Sequence, residues 1–355
     1  MPRQVRFFIV AVVAACLPAI VFVHLSCDTA LQTYALDIDG VHGIPLERLL
    51  WRQGVYPITG VFAGGAYYDW ADEAYRSQWY IPALITSGGR LIVSGRSSDD
   101  GVAAVITVPR PELSILDVAP TAGGALGLKG DFDGRCVYPA NATQVVVIYV
   151  DALGWQRYEW GRPAMSNLSA LGPAPAIDVY PSISVVNAAA LVTGVMPERS
   201  GVDRWERRTM RTGVDNVIDL AARHGVSAAW IDGPRPPVTT ATGIISLEDA
   251  DGDGTTDDEV TARAMAEYEA GTRLLYVHLR GPDRALHASG PYSNRSLAAL
   301  AQADAQIGTM VRSLKPGTLL IITADHGGHD IAGGKGEHGT LLPEDMIIPF
   351  IARAC

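Results

Sequence analysis

Leu319 to His338 reads LLIITADHGGHDIAGGKGEH, and this stretch decides how the carboxyl-terminal part of the chain is organised. Four apolar residues run almost straight into Asp325-His326 and then into a glycine-dense loop, the pattern of a buried parallel strand that delivers ligands at its carboxyl end. An Asp and a His side by side there point to metal. Glycines at 327, 328, 333, 334 and 336 let the backbone fold closely around a site, and His338 returns a second imidazole. The competing reading is a solvated turn with incidental histidines, and the upstream sequence decides between them.

From Thr143 onward, strands alternate with helices. Gln144-Val145-Val146-Val147-Ile148-Tyr149-Val150 reads as a buried strand ending on Asp151, and Val217 to Ala222 as a helix closing at His224-Gly225 before a strand at Val226 to Ile231. A strand at Leu274 to Leu279, an amphipathic helix from about Asn294 to Leu314 and the strand at 319–323 follow. This alternation predicts an α/β fold, a mostly parallel sheet with helices on both faces. Asp151, Asp283 and Asp325 all fall just beyond a predicted strand, where ligands of such sheets gather.

The preceding region differs in texture. Residues 28–142 carry short apolar runs such as Arg90-Leu91-Ile92-Val93 and Val102 to Val108, bounded by Gly, Pro and Ser, which predict a small mainly-β accessory module. Residues 1–27 place Arg3 and Arg6 ahead of an uncharged, mostly apolar run from Phe7 to Leu25, the pattern of a signal peptide, a lipoprotein signal or an uncleaved membrane anchor. Val23-His24-Leu25-Ser26-Cys27 approximates a lipoprotein box, with His24 where Leu is usual. An exported protein is expected, membrane-anchored, periplasmic or at the cell surface. Of the cysteines at 16, 27, 136 and 355, only Cys136 and Cys355 are candidates for a bridge. The net charge of −10 is widely spread, with no basic stripe for nucleic acid.

Asp151, Asp283, His287, Asp325, His326 and His338 form an oxygen and nitrogen set suited to two divalent ions such as Zn²⁺, with Mn²⁺ the alternative. Singly, each Asp could be a loop cap; six such groups after three strands are hard to ascribe to capping. Val179 to Gly201 reads VYPSISVVNAAALVTGVMPERSG, a turn carrying Ser182 and Ser184 that leads into a small-residue helix. A hydroxyl at a helix amino terminus meets free backbone N–H groups where a phosphate would bind. Ser184 is thus a candidate nucleophile, against the simpler reading that Ser182 or Ser184 caps the helix.

The order of these segments resembles the alkaline phosphatase superfamily, nearest to its type I phosphodiesterase and nucleotide pyrophosphatase branch. The similarity covers about residues 143–355. It rests on Asp151 in VVVIYVDALG, on Ser184 followed by Asn187 and Leu191-Val192-Thr193-Gly194, on Pro197-Glu198 with Gly201, and on Asp283 and His287 in GPDRALH. Asp325-His326-Gly327 and the run from His338 to Phe350 complete it. The resemblance implies an alkaline-phosphatase-like fold and one ion on Asp151, Ser184, Asp325 and His326, the other on Asp283, His287 and His338. It also implies that the Asn187 amide donates to a phosphoryl oxygen. Three departures bear on substrate and extent: Ala188 stands where nucleotide pyrophosphatases often have His, the nucleophile is Ser rather than Thr, and relatives usually continue beyond Cys355. No C/S-x-P-x-R sulfatase motif surrounds Ser182 or Ser184, and the Asp-Ser-Ala nucleophile of phosphomonoesterases is absent.

The expected function is therefore exported two-metal hydrolysis of a small-molecule phosphodiester or other phosphoester through a phosphoserine. The alternatives are a membrane-associated phosphoryl or phosphoethanolamine-type transferase and a non-catalytic, calcium-stabilised surface binding module. Glu248 to Glu259 reads EDADGDGTTDDE, most of an EF-hand-type calcium loop with Asp249, Asp251, Asp253, Thr255 and Asp257 at ligand positions and Gly254 at the turn. Position 12 is Val260, so Asp258 or Glu259 would have to replace the customary Glu. His329 reads as an exposed loop histidine outside the site.

Overall fold

The computed structural model describes residues 18–23, 34–38, 41–77, 81–86, 90–93, 96–97 and 102–355. They fall into two compact units, one comprising residues up to Arg110 together with Gly339–Pro343, the other Pro111–His338 with Glu344–Cys355. Thr143, where the sequence texture changes, lies within the second unit.

The first unit is small and rich in antiparallel strands, as the short apolar runs predict. One sheet has the order Ala19–Phe22, Val102–Thr107, Ile58–Ala63, Ala66–Asp69; a second runs Leu36–Ile38, Val41–Pro45, Ala83–Ile85, Leu91–Val93, Arg96–Ser97. Helices Leu46–Arg52 and Trp70–Arg76 bury Leu46, Leu49, Leu50 and Trp70 in its core. The Trp70 indole N–H donates to Glu47 Oε1 at 2.7 Å, and that oxygen also accepts from Leu341 N at 2.9 Å, so this buried oxygen is satisfied. The segment Ala19–Phe22 belongs to the apolar amino-terminal run and pairs with Val102–Thr107; the rest of that run lies largely outside the described residues. Among the described residues no helix is long and apolar enough to cross a membrane.

The second unit is built on an eight-stranded sheet. Its strands are β1 (Leu113–Ser114), β2 (Gln144–Val150), β3 (Ala174–Ile177), β4 (Ala228–Asp232), β5 (Ile244–Ser246), β6 (Leu274–Leu279), β7 (Thr318–Ala324) and β8 (Ile347–Ala354). The spatial order is β1-β3-β8-β7-β2-β6-β4-β5. Only β8 runs antiparallel to its neighbours, which makes this the expected mostly parallel α/β sheet flanked by helices. β2, β6 and β7 are mostly apolar runs because each is covered on both faces; every residue of β6 and β7 is buried. The helices that bear on the site are α1 (Ser184–Thr193), α2 (Asp257–Glu269), α3 (Gly281–Ser289) and α4 (Asn294–Ser313). α1 begins one residue before Val185, on Ser184 itself, and ends on Gly194 at φ 64°, a left-handed position open to glycine at little cost. Cys136 and Cys355, the candidate bridge, are both free and exposed.

Candidate active site

β2 lies between β6 and β7, so the loops leaving their carboxyl ends are neighbours. Asp151 directly follows β2 and Asp325 directly follows β7, while Asp283 sits in the first turn of α3, the helix that follows β6. One helical turn along α3, His287 brings its Nε2 to 3.3 Å from Asp283 Oδ1. Gly327 lets the chain turn tightly after His326: a Cβ there would stand 1.9 Å from the Glu344 carbonyl oxygen.

Two adjoining groups of ligand-type side chains result. In the first, His326 Nε2 lies 3.3 Å from Asp151 Oδ1 and 3.6 Å from Asp325 Oδ2. The Ser184 hydroxyl faces the same space, 3.1 Å from His326 Nε2 and 3.5 Å from Asp151 Oδ1. In the second, His338 Nε2 lies 3.3 Å from His287 Nε2 and 3.6 Å from Asp283 Oδ1. The rings of His326 and His338 stack at 3.8 Å between centroids and join the groups. Glu337, which the sequence reading omitted, adds a carboxylate beside His287 and His338.

All three imidazoles are held the same way. Nδ1 of His326 lies 2.8 Å from the Gly327 carbonyl, that of His338 3.0 Å from the Ser182 carbonyl, and that of His287 3.1 Å from the Gly336 carbonyl. A carbonyl can only accept, so each Nδ1 carries the proton and each Nε2 turns its lone pair inward, as in metal-bound histidines. Asp325 Oδ2 and Asp283 Oδ1 are buried there without a hydrogen-bond partner. Inward nitrogens and carboxylate oxygens at such separations need a proton or a cation among them, and the oxygen and nitrogen donor set fits divalent ions.

The pKa shifts run in both directions: against the effect of burial, Asp283 raises His287 to about 9. Burial and the charge of Asp151 push the Asp325 carboxyl well up. Burial, with His326 and His287 nearby, lowers His338 to about 4. Burial opposes ionisation of Asp151 too, but the hydrogen bond and charge of His278 overcome it and hold that carboxyl well below its ordinary value.

His278 is the main residue that sequence reasoning missed. It sits on β6, fully buried, with Nε2 3.1 Å from Asp151 Oδ2 and Nδ1 3.0 Å from both oxygens of Asp232, at the end of β4. Burial alone would depress this imidazole, but Asp232 and Asp151 raise it to about 10. A histidine inside the apolar run LLYVHL was the available signal, because a polar side chain in a fully buried strand requires partners. Arg157, also missed, is fully buried and donates to the carbonyls of Ala152 and Pro282, tying together the turns that carry Asp151 and Asp283.

Three expectations are corrected. Asn187 is buried and does not face the site: its amide nitrogen donates to Asp178 Oδ2 and the Val179 carbonyl, and its oxygen accepts from Val179 N. With its side chain engaged by the segment before Ser184, it braces that turn and has no donor left for a phosphoryl oxygen. His329 is buried rather than exposed, its Nδ1 2.8 Å from Asp345 Oδ1. In the acidic loop, Asp249, Asp251 and Asp253 converge, as do Asp251, Asp258 and Glu259, so residues after the expected positions do join. Thr255 Oγ1 accepts from Asp257 N. Asp257 is turned away and accepts from Arg280 N and Gly281 N at 2.8 and 3.0 Å, capping the start of α3.

Ser182 also separates from Ser184. It is fully buried, donating to Asp178 and lying 3.0 Å from the Asp345 carbonyl. Ser184, by contrast, opens on a cavity of about 920 Å³ whose lining includes Asp151, Asp283, His287 and His338 together with Trp205, Arg208, Arg235, Arg280 and Arg284.

No curated protein matches this chain by sequence. Solved structures similar to it include the phosphonoacetate hydrolase of Sinorhizobium meliloti 1021 in complex with phosphonoformate, at 13% identity and a TM-score of 0.45, covering 56% of this chain and 59% of that one. Murine ectonucleotide pyrophosphatase/phosphodiesterase 5 is similar at 13% identity and a TM-score of 0.48, covering 59% of this chain and 88% of that one. Its inactive form in complex with AMP gives 14% identity and the same TM-score of 0.48. The chain thus spans less than two thirds of the length of the phosphonoacetate hydrolase. A family model described as type I phosphodiesterase / nucleotide pyrophosphatase matches residues 145–347, from the first residues of β2 to the start of β8. That match takes in every strand-end candidate ligand and Ser184 and spans more than half of the sequence, so the chain belongs to the type I phosphodiesterase / nucleotide pyrophosphatase family.

Proposed function

We propose that the protein is an exported, divalent-metal-dependent hydrolase of phosphodiester and related phosphoester bonds that works through a phosphoserine at Ser184. The observation that carries this reading is the set of three imidazoles anchored through Nδ1, with Nε2 turned toward the space that the Ser184 hydroxyl faces. Asp151, Ser184, Asp325 and His326 would hold one ion and Asp283, His287 and His338 the other, with Zn²⁺ or Mn²⁺ suiting the donors. When bound, such ions supply the positive charge that lowers the hydroxyl pKa and balances the phosphoryl oxygens.

The chain's own residues then have distinct tasks. Ser184 Oγ, its proton lost to solvent, bonds to phosphorus while the bond to the leaving oxygen breaks and that oxygen takes the electron pair. Ser184 opens α1, so the positive end of the helix supports charge on the phosphoryl oxygens. Water next bonds to phosphorus, the Ser184 oxygen leaves, and the serine regains a proton. The cavity of about 920 Å³ has room for a leaving group, and its arginines favour an anionic one.

Export is read from the amino-terminal sequence alone, and fractionation of the producing cell tests it. Calcium binding by the acidic loop is supported by the convergence of Asp249, Asp251 and Asp253 and of Asp251, Asp258 and Glu259. The central reading is tested by turnover of aryl phosphodiesters, phosphomonoesters and phosphonates with and without chelator, followed by acid quenching and peptide mapping. Metal-dependent turnover with phosphate on the Ser184 peptide is expected. Absence of metal-dependent turnover on every substrate would overturn it.

A further inference from the structure

Asp151 presents its two oxygens to different surroundings. Oδ1 faces Ser184 Oγ and His326 Nε2 at 3.5 and 3.3 Å, while Oδ2 points back into the sheet toward His278 Nε2 at 3.1 Å. His278 is held on every side that matters. Its other nitrogen meets both oxygens of Asp232 at 3.0 Å, and its ring lies stacked on Tyr149 at 4.0 Å between centroids with an interplanar angle of 15°. Asp232 is fixed in turn by the Trp230 indole N–H at 2.9 Å, and Trp230, Asp232 and His278 are fully buried.

The sheet makes this arrangement stiff. β2, β6 and β4 are consecutive strands, with Tyr149 opposite His278 and Ile231 opposite Val277 in register. A side chain on the middle strand therefore spans the carboxylates at the ends of its two neighbours. A carboxylate ligand that could rotate freely would offer either oxygen, and ordering it would cost entropy whenever an ion bound.

We propose that Asp232 and His278 form a buried clamp that fixes one oxygen of Asp151, so that its other oxygen stays aimed at the ion position shared with Asp325 and His326. The inference rests on reading Asp151 as a metal ligand. His278 borders the cavity but is fully buried and hydrogen-bonds to Asp151, so it is a positioning residue that acts through Asp151. The clamp acts on one of the two ion positions, because neither His278 nor Asp232 is in hydrogen-bond contact with Asp283, His287 or His338 in the hydrogen bonds these residues make.

The test is calorimetric titration of Zn²⁺ into the metal-free full chain, comparing wild type with His278→Gln, Asp232→Asn and Asp151→Asn. Two ions are expected in the wild type. His278→Gln should weaken one of them by about 10- to 100-fold and leave the other unchanged, with a smaller loss at the same ion in Asp232→Asn. Turnover by both clamp variants should recover at saturating Zn²⁺, which a general packing defect would not allow. Should His278→Gln fail to fold, Asp232→Asn, which conserves size and shape, decides alone. Wild-type affinity for both ions in the clamp variants, with one ion lost in Asp151→Asn, overturns the clamp and leaves the ligand reading standing. Wild-type affinity in Asp151→Asn overturns that reading, and the clamp with it.

Discussion

His287 Nε2 and His338 Nε2 face each other across 3.3 Å, each ring tethered from behind by a main-chain carbonyl at Nδ1. Two lone pairs do not settle at that separation without a proton or a cation to share. Asp283 Oδ1 lies 3.3 Å from the first nitrogen and 3.6 Å from the second, a carboxylate that the same cation would bind.

Chelation should therefore destabilise the protein as well as silence it. An ion that binds only the folded state, held at about 1,000 times its dissociation constant, adds about 4 kcal/mol by mass action. Scanning calorimetry should show a melting temperature lower by several degrees in chelator and restored by Zn²⁺ or Mn²⁺. An unchanged melting curve would argue against occupancy of either position.

Ser184→Ala should abolish the phosphoenzyme and lower turnover by several powers of ten, with little loss of stability, since the hydroxyl sits at the open end of α1. Ser182→Ala should do the reverse. Its hydroxyl partners the buried Asp178, so its removal should cost about 1–3 kcal/mol of stability while chemistry persists. Phosphate recovered on the Ser182 peptide would invert the assignment.

Asn187→Leu separates bracing from catalysis. With the amide engaged by Asp178 and Val179, the substitution should cost about 1–3 kcal/mol in denaturant unfolding, because it leaves buried main-chain groups without partners. A large fall in kcat at unchanged stability would restore the direct phosphoryl role.

Asp251 belongs to both carboxylate groups of the acidic loop. Asp251→Ala should lower the melting temperature in calcium and have little effect without it. If the wild type shows no calcium-dependent shift, the loop is a solvated acidic turn. Because Asp257 accepts from the backbone N–H groups at the start of α3, Asp257→Ala should lower stability whether or not calcium is present.

The amino-acid order alone determined the strand and helix segments and the candidate ligands at the strand ends, because both are local. β2, β6 and β7 are mostly apolar along their buried lengths, and a residue immediately after such a strand lies at the sheet's carboxyl edge. The i, i+4 pair Asp283 and His287 follows equally from helical spacing. Tertiary structure alone decided where side chains point when their partners are distant in sequence. Asn187 sits three residues after Ser184 on the same helix, yet packing against Asp178 and Val179 turns its amide away from the site. His278 finds Asp232 46 residues before it and Asp151 127 residues before it. Its imidazole is tolerated inside an apolar strand because the order β2-β6-β4 sets a carboxylate on either side of it, and that order is a property of the folded sheet.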